Sequence, residues 1–317
     1  MKKLLYVFIA VSIFSSCIKD EIPVPAHAEG DVTTNEINLG IDYRYQAYYD
    51  FGTNSFVKQH LKTDWDIGFE TGIDGWRVIL NTSKAMSAAA NPIANFSTVT
   101  DTIGAVWKYD LNSGDLDSTA LGDWQNSNSF YIINRGYSYD GVHQGFRKFD
   151  IISVDANEYE IHYSNLDGTN ETTMIIEKDE AYNFTFLSFE SNSAIEIQPE
   201  KNTWDLVFGQ YAHLFEPTFP YLVTGVLSSR NGVEIAEVYD KPFDEIKYAD
   251  VSNYPFSSEI DIIGYDWKTY AGGTYVTHLE QNYLVKTTEG FYYKIHFIDF
   301  YNQFGDKGNP KFEVQQL

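Results

Sequence analysis

The sequence predicts an all-β protein made of two related antiparallel halves packed together, with little helix. Three observations lead there. The chain carries 22 Phe, 24 Tyr and 6 Trp among 317 residues, and aromatic side chains favour the pleated, half-buried surface of a strand. No stretch of a dozen residues repeats its apolar positions at the helical period between caps. Five short segments of the first half recur, in the same order, in the second.

The strand signals follow in chain order. Tyr43 to Tyr49 is an aromatic run closed by the turn signal Asp50-Phe51-Gly52-Thr53-Asn54. Trp76 to Asn81 and Phe130 to Asn134 are strand-like. Phe149 to Val154 and Tyr159 to Tyr163 read as a hairpin pair across Asp155-Ala156-Asn157. Phe184, Phe186, Leu187 and Phe189 mark a further strand. Ser83 to Ala90, before Pro92, reads as one short helix.

The recurrences define the organisation. Thr63-Asp64-Trp65-Asp66-Ile67-Gly68-Phe69 returns as Asn202-Thr203-Trp204-Asp205-Leu206-Val207-Phe208, and Trp107-Lys108 as Trp267-Lys268. Tyr131-Ile132-Ile133 returns as Tyr283-Leu284-Val285, Gly145-Phe146 as Gly290-Phe291, and Tyr159-Glu160-Ile161 as Phe312-Glu313-Val314. An ordered series at similar offsets predicts two copies of one β unit, at about residues 31–200 and 201–317. Strand alternation places Trp65, Ile67 and Phe69 on one face with Asp66 opposite, and Trp204, Leu206 and Phe208 likewise around Asp205. Each acid is expected to bond a turn amide or an indole, a structural duty rather than a catalytic one.

The N-terminus reads as an address. Lys2 and Lys3 precede an apolar run from Leu4 to Phe14, and Ser15 and Ser16 lead to Cys17, the only cysteine. Such a run is too short to span a bilayer, which needs about 20 apolar residues. It fits a secretory signal over residues 1–16. The placement of Cys17 resembles the lipobox of bacterial lipoproteins, in which the cysteine becomes the lipidated first residue. Lys19, Asp20 and Glu21 resemble a signal that sends some lipoproteins to the outer face of the outer membrane. Residues 17–30, with Pro23, Pro25 and Gly30, then form a lipidated tether. The lipid is expected to be the only anchor.

Composition narrows the chemistry. The net charge is −23, and loss of Lys2 and Lys3 makes it more negative still. So acidic a chain lacks the basic footprint that a phosphate backbone requires, which argues against nucleic acid as a partner. Lipidation of Cys17 leaves no thiol for disulfides, thiolate metal sites or cysteine catalysis. No nucleophile elbow, P-loop or dinucleotide fingerprint is present, so an enzyme is not expected. The seven histidines show no zinc spacing. Asp110, Asn112, Gly114, Asp115 and Asp117 only faintly resemble a calcium loop.

Three segments carry a family resemblance. Trp204 to Phe208, Tyr221-Leu222-Val223-Thr224-Gly225-Val226-Leu227, and Tyr293 to Asn302 with Gly305-Asp306-Lys307-Gly308 are similar to the HmuY family of bacterial surface lipoproteins. Trp65 to Phe69 and Arg77 to Asn81 match more loosely. The resemblance implies an all-β fold, haem binding at the cell surface and delivery of haem to a TonB-dependent outer-membrane receptor. It also implies paired histidine or methionine ligands, one in the loop after the Trp that matches Trp267. Here that loop is Thr269-Tyr270-Ala271-Gly272-Gly273, and the region expected to hold the other, Tyr248 to Ser258, also has neither His nor Met. Tyr270 is the one side chain of the loop able to ligate ferric haem. His213 and His278 are the neighbouring nitrogen donors in the sequence. A rival reading is a metal-free surface module whose exposed tyrosines bind glycan or protein.

Labelling of cells with a fatty-acid analogue tests the address. The wild-type protein should take up label and Cys17→Ala should not. An unlabelled wild-type chain would exclude lipidation.

Overall fold

The computed structural model describes residues 29–91, 95–216 and 219–317. The signal segment, Cys17 and the tether up to residue 28 lie outside the described residues. Among those described the architecture is all-β, as expected. The helical elements are short 3-10 turns, the longest being the six-residue Tyr248–Asn253. No helix among the described residues is long and apolar enough to cross a membrane.

The N-terminal strands are β1 (Thr33–Glu36), β2 (Tyr45–Asp50) and β3 (Ser55–Leu61). Nine follow: β4 (Ile67–Glu70), β5 (Val78–Leu80), β6 (Ser87–Asn91), β7 (Phe130–Asn134), β8 (Phe146–Val154), β9 (Glu158–Asn165), β10 (Thr172–Glu177), β11 (Phe184–Ser188) and β12 (Ser193–Ile195). The remainder are β13 (Leu206–Glu216), β14 (Phe219–Ser228), β15 (Glu234–Val238), β16 (Lys268–Ala271), β17 (Thr274–Thr277), β18 (Asn282–Lys286), β19 (Tyr292–Tyr301) and β20 (Lys307–Gln316).

They build two sandwiches. In the first, the sheet β6-β7-β8-β9-β10 and the sheet β5-β4-β11-β12 enclose Ile67, Phe69, Ile133, Phe149, Tyr159 and Leu187. In the second, β15-β18-β19-β20-β1 and β14-β13-β2-β3 enclose Tyr49, Phe208, Tyr283, Phe297 and Phe312. The two strand orders correspond place for place, with β4 matching β13 and β7 matching β18. Four of the five recurring segments sit on or beside matching strands.

The correspondence is cyclic rather than tandem. β1, β2 and β3 take the places that β10, β11 and β12 hold in the first sandwich. Thr33 lies opposite Val314 and Ala47 opposite Phe208. A cut at residue 200 therefore separates strands that pair, because residues 33–61 are joined to the sheets of 206–316. Sequence similarity preserves the order of units along the chain and carries no sign of which end closes which sheet.

The sandwiches pack together, as the paired halves were expected to. Lys62 Nζ donates to Gln210 Oε1 at 2.6 Å, Trp65 Nε1 to Gln46 Oε1 at 3.0 Å, and Ile260 N to Ser113 O at 2.9 Å. Both repeat tryptophans face this seam. Trp65 meets Phe186 edge-on at 4.7 Å and Trp204 meets Tyr48 at 4.9 Å. Neither joins the core that its strand's Ile67–Phe69 or Leu206–Phe208 pair enters, contrary to simple alternation, because each precedes the first residue of its strand.

Ser83–Ala90 also differs from expectation. It forms a 3-10 turn at Thr82–Lys84 and then β6. The helical preference of alanine is weak. Ala88 and Ala89 are buried where β6 pairs with β7 and bridges to Lys108, a place that admits only small side chains.

The two repeat carboxylates anchor their central strands in the same way. Asp66 Oδ2 accepts from Phe189 N at 2.8 Å, and Asp205 Oδ2 accepts from Phe51 N at 2.8 Å. Their electrostatics differ. Asp66 is fully buried and ion-paired with Lys84 and with Arg135, whose Nε lies 3.0 Å away. Burial pushes this carboxyl up, but Lys84 and Arg135 outweigh it and hold it below the usual range. Asp205 has no cation partner among the described residues, and burial pushes it up to about 7. The residue after β18, where Arg135 follows β7, is Thr287.

Removing Asp66 strands two buried cations, so Asp66→Ala should cost about 3–5 kcal/mol in urea unfolding. Asp205→Asn keeps an acceptor for Phe51 N and should cost less than about 1.5 kcal/mol. The pH dependence has a definite sign. The folded state holds the Asp205 proton up to about 7, whereas the ordinary value for such a carboxyl is 3.8. Between those values the native state binds more protons than the unfolded one, so this group's contribution falls as pH rises. Asp205→Asn should remove that slope; an unchanged pH profile would refute the assignment.

Candidate functional site

A cavity of about 1100 Å³ opens at one end of the second sandwich. Ligand pockets commonly span about 300–1,000 Å³. Two hairpins shape it. The β13–β14 hairpin contributes Phe215, Phe219, Tyr221 and Val223. The β16–β17 hairpin, turning through Gly272 and Gly273, contributes Tyr270 and Tyr275. Both glycines have positive φ, +61° and +90°, which suits a two-residue hairpin turn. Tyr301 fixes this hairpin to β19: its hydroxyl accepts from Tyr275 N at 2.8 Å and bonds Thr274 Oγ1 at 2.9 Å. Beneath, Tyr275 packs edge-on against Phe300 at 4.8 Å.

The cavity's walls are aromatic and its cations few. Tyr43, Tyr221, Tyr265, Tyr270, Tyr275 and Tyr301 line it with Phe215 and Phe219, and Lys268 and Lys307 are the lining cations. Phe215, Phe219, Tyr221 and Tyr270 are each at least half exposed at its rim. Lys268 is buried, and its Nζ donates to Thr224 O at 2.5 Å and Tyr265 O at 3.3 Å while lying 4.1 Å from the Trp267 ring centroid. Burial pulls its ammonium down to about 7. Lys307 stands over the Tyr43 ring at 4.8 Å.

Tyr43 is held in an uncommon conformation, with φ of 56°. Positive φ at a bulky residue costs energy and persists only where its surroundings impose it. Here the turn bond from Tyr43 N to Gly40 O, at 3.0 Å, and the close approach of Gly308 impose it: a Cβ on Gly308 would lie 2.4 Å from Gly40 O. The residue is 8% exposed, and its hydroxyl makes no hydrogen bond, lying near Tyr275 but outside bonding geometry. Burial, with Tyr275 second, raises this phenol well above its ordinary value.

The expected ligand candidates are distributed unequally. Tyr270 lines the cavity, 64% exposed, its ring 5.1 Å from that of Tyr275. His213 lies behind the wall, edge-on to Phe215 and Tyr265 at 4.8 and 4.9 Å, with Asp261 Oδ2 3.7 Å from its Nδ1. The ring of His278 is tied through Nε2 to Thr269 Oγ1 at 2.7 Å. Neither histidine lines the cavity. Tyr43, Lys268 and Lys307 were not legible as a group, because they come from segments far apart in sequence. The spacing of Phe219, Tyr221 and Val223 on one strand face was the available signal.

The calcium-like residues do not converge. Asp110 accepts from Leu80 N and Ala120 N, while Asp117 pairs with Arg77. No group of three or more His, Cys, Asp or Glu residues suited to a metal ion occurs among the described residues.

The HmuY protein family matches residues 42–314. Similar solved structures include apo PinO from Porphyromonas gingivitis, with 9% identity, a TM-score of 0.30, and 90% of this chain and 97% of that one covered. The apo HmuY analogue of Tannerella forsythia shows 11% identity and a TM-score of 0.26 over 92% and 97%. A protein of Bacteroides vulgatus, described as HmuY-like and heme-binding, shows 12% identity and a TM-score of 0.26 over 89% and 90%. No curated protein matches the chain. The family match runs through both sandwiches and the cavity-forming hairpins, and on that ground the chain belongs to the HmuY family.

Proposed function

We propose that this HmuY-type protein captures haem or a porphyrin at the cell surface for iron acquisition. On this reading Cys17 is the lipid anchor in the outer membrane, and the captured group passes to a TonB-dependent receptor. The role is binding, not catalysis. Family membership supports the reading, and the single observation that carries it is the aromatic cavity of about 1100 Å³ between the two hairpins.

The cavity residues fit the ring better than they fit the metal. A porphyrin is flat, apolar over its faces and acidic along one edge. Tyrosine and phenylalanine rings offer faces for offset stacking, each such contact worth about 0.5–1.5 kcal/mol beyond area burial. Lys307 is the exposed lining cation open to a carboxylate, whereas Lys268 is buried on two backbone carbonyls. The iron of bound haem would supply a Lewis-acidic centre, for which Tyr270 is the candidate oxygen donor; His213 and His278 lie outside the lining.

The exposed rim, Phe215, Phe219, Tyr221 and Tyr270, favours a second reading, a surface module for glycan or protein.

Absorbance titration with hemin separates the two readings. A saturable Soret shift at micromolar protein should appear. Its absence, with the protein folded, would leave the metal-free module as the better account.

A further inference from the structure

We propose that the cavity recognises the flat ring and the carboxylates of a tetrapyrrole and not its metal, so that metal-free porphyrin is held as tightly as haem. This rests on the porphyrin-capture reading and narrows it.

The donor set is the first ground. Among the described residues, the cavity lining contains no His, Met or Cys. The nitrogen donors expected from the sequence are not in the lining: His278 bonds Thr269, and His213 sits among aromatic rings with Asp261 Oδ2 3.7 Å from its Nδ1. A phenol ligates ferric iron best as phenolate, a form that a neighbouring cation favours. Lys307 stands over Tyr43 instead, and Lys268 donates to two backbone carbonyls.

The second ground is what the cavity does offer. Rings from two separate hairpins, Phe219 and Tyr221 from one and Tyr270 and Tyr275 from the other, supply stacking faces that are indifferent to the metal. The Tyr43 hydroxyl is a donor more than nine-tenths buried and without a partner, and Lys307 stands over the same ring. A buried polar group left unpaired is costly, and an entering acceptor relieves that cost. A carboxylate accepts from both a phenol and an ammonium. In a chain with a net charge of −23, an exposed lysine over a ring of an aromatic cavity favours an anionic aromatic ligand.

The test is a set of titrations of the full chain in lipid nanodiscs, with empty nanodiscs as blank, using hemin and metal-free protoporphyrin IX. Affinities within about threefold of each other are expected. Tyr270→Phe should leave the ferric absorbance spectrum unchanged. Lys307→Glu, an exposed substitution that spares the fold, should weaken both ligands about tenfold and by the same factor. Hemin binding more than tenfold tighter than the metal-free ring, or a ferric spectrum altered in Tyr270→Phe, would overturn the proposal and leave porphyrin capture standing. Lys307→Glu without effect on either ligand would overturn the carboxylate part. Failure of both ligands to bind the wild-type chain would instead refute the capture reading itself.

Discussion

Each sandwich is organised around a carboxylate buried at the head of its central strand. The oxygen of Asp66 takes the amide of Phe189, and that of Asp205 takes the amide of Phe51. A buried amide left unpaired costs roughly as much as a lost hydrogen bond, so these contacts hold β11 to β4 and β2 to β13 where the ladders end. The same device in two places produces two matching strand orders. It is given different electrostatic support: an ion-paired triad in one sandwich, and in the other an acid without a cation partner among the described residues, which burial pushes up to about 7.

Much of this was legible in the sequence, and the failures have physical causes. The all-β class followed from aromatic content and from the missing helical period. The recurrences pointed to matching strands, because residues such as Tyr131 and Tyr283 fill the same place in their sheets. The closure of the second sandwich by β1–β3 was not legible, since strand pairing is set by contacts whose separation in sequence leaves no local trace. The cavity was half legible. The loop bearing Tyr270 was identifiable after Trp267, whereas Tyr43 reaches the same space only through a left-handed backbone turn.

The cations of this strongly acidic chain are unevenly distributed. Several lysines lie inside the protein. Lys148 Nζ donates to Phe96 O at 2.9 Å, and Lys294 Nζ to Phe243 O and Ile246 O at 2.7 and 2.9 Å. Lys84 completes the Asp66 triad. With these ammonium groups bonding interior carbonyls and carboxylates, the outer surface is more acidic than composition alone implies. Lys307, exposed over Tyr43, contrasts with that background.

The cyclic arrangement of the second sandwich also dictates an order of events during synthesis. The strands at 33–61 leave the ribosome early, but β13 and β20, their partners, follow more than a hundred residues later. The first sandwich, drawn entirely from the intervening stretch, has all its strands available before β13 emerges. Contacts as distant as Thr33 with Val314 close last, because the loop entropy they require is the largest. Until then β2 and β3 carry unsatisfied edges and exposed aromatic side chains such as Tyr48 and Tyr49. A chain of this design depends on being kept from aggregation until its final residues are available for pairing.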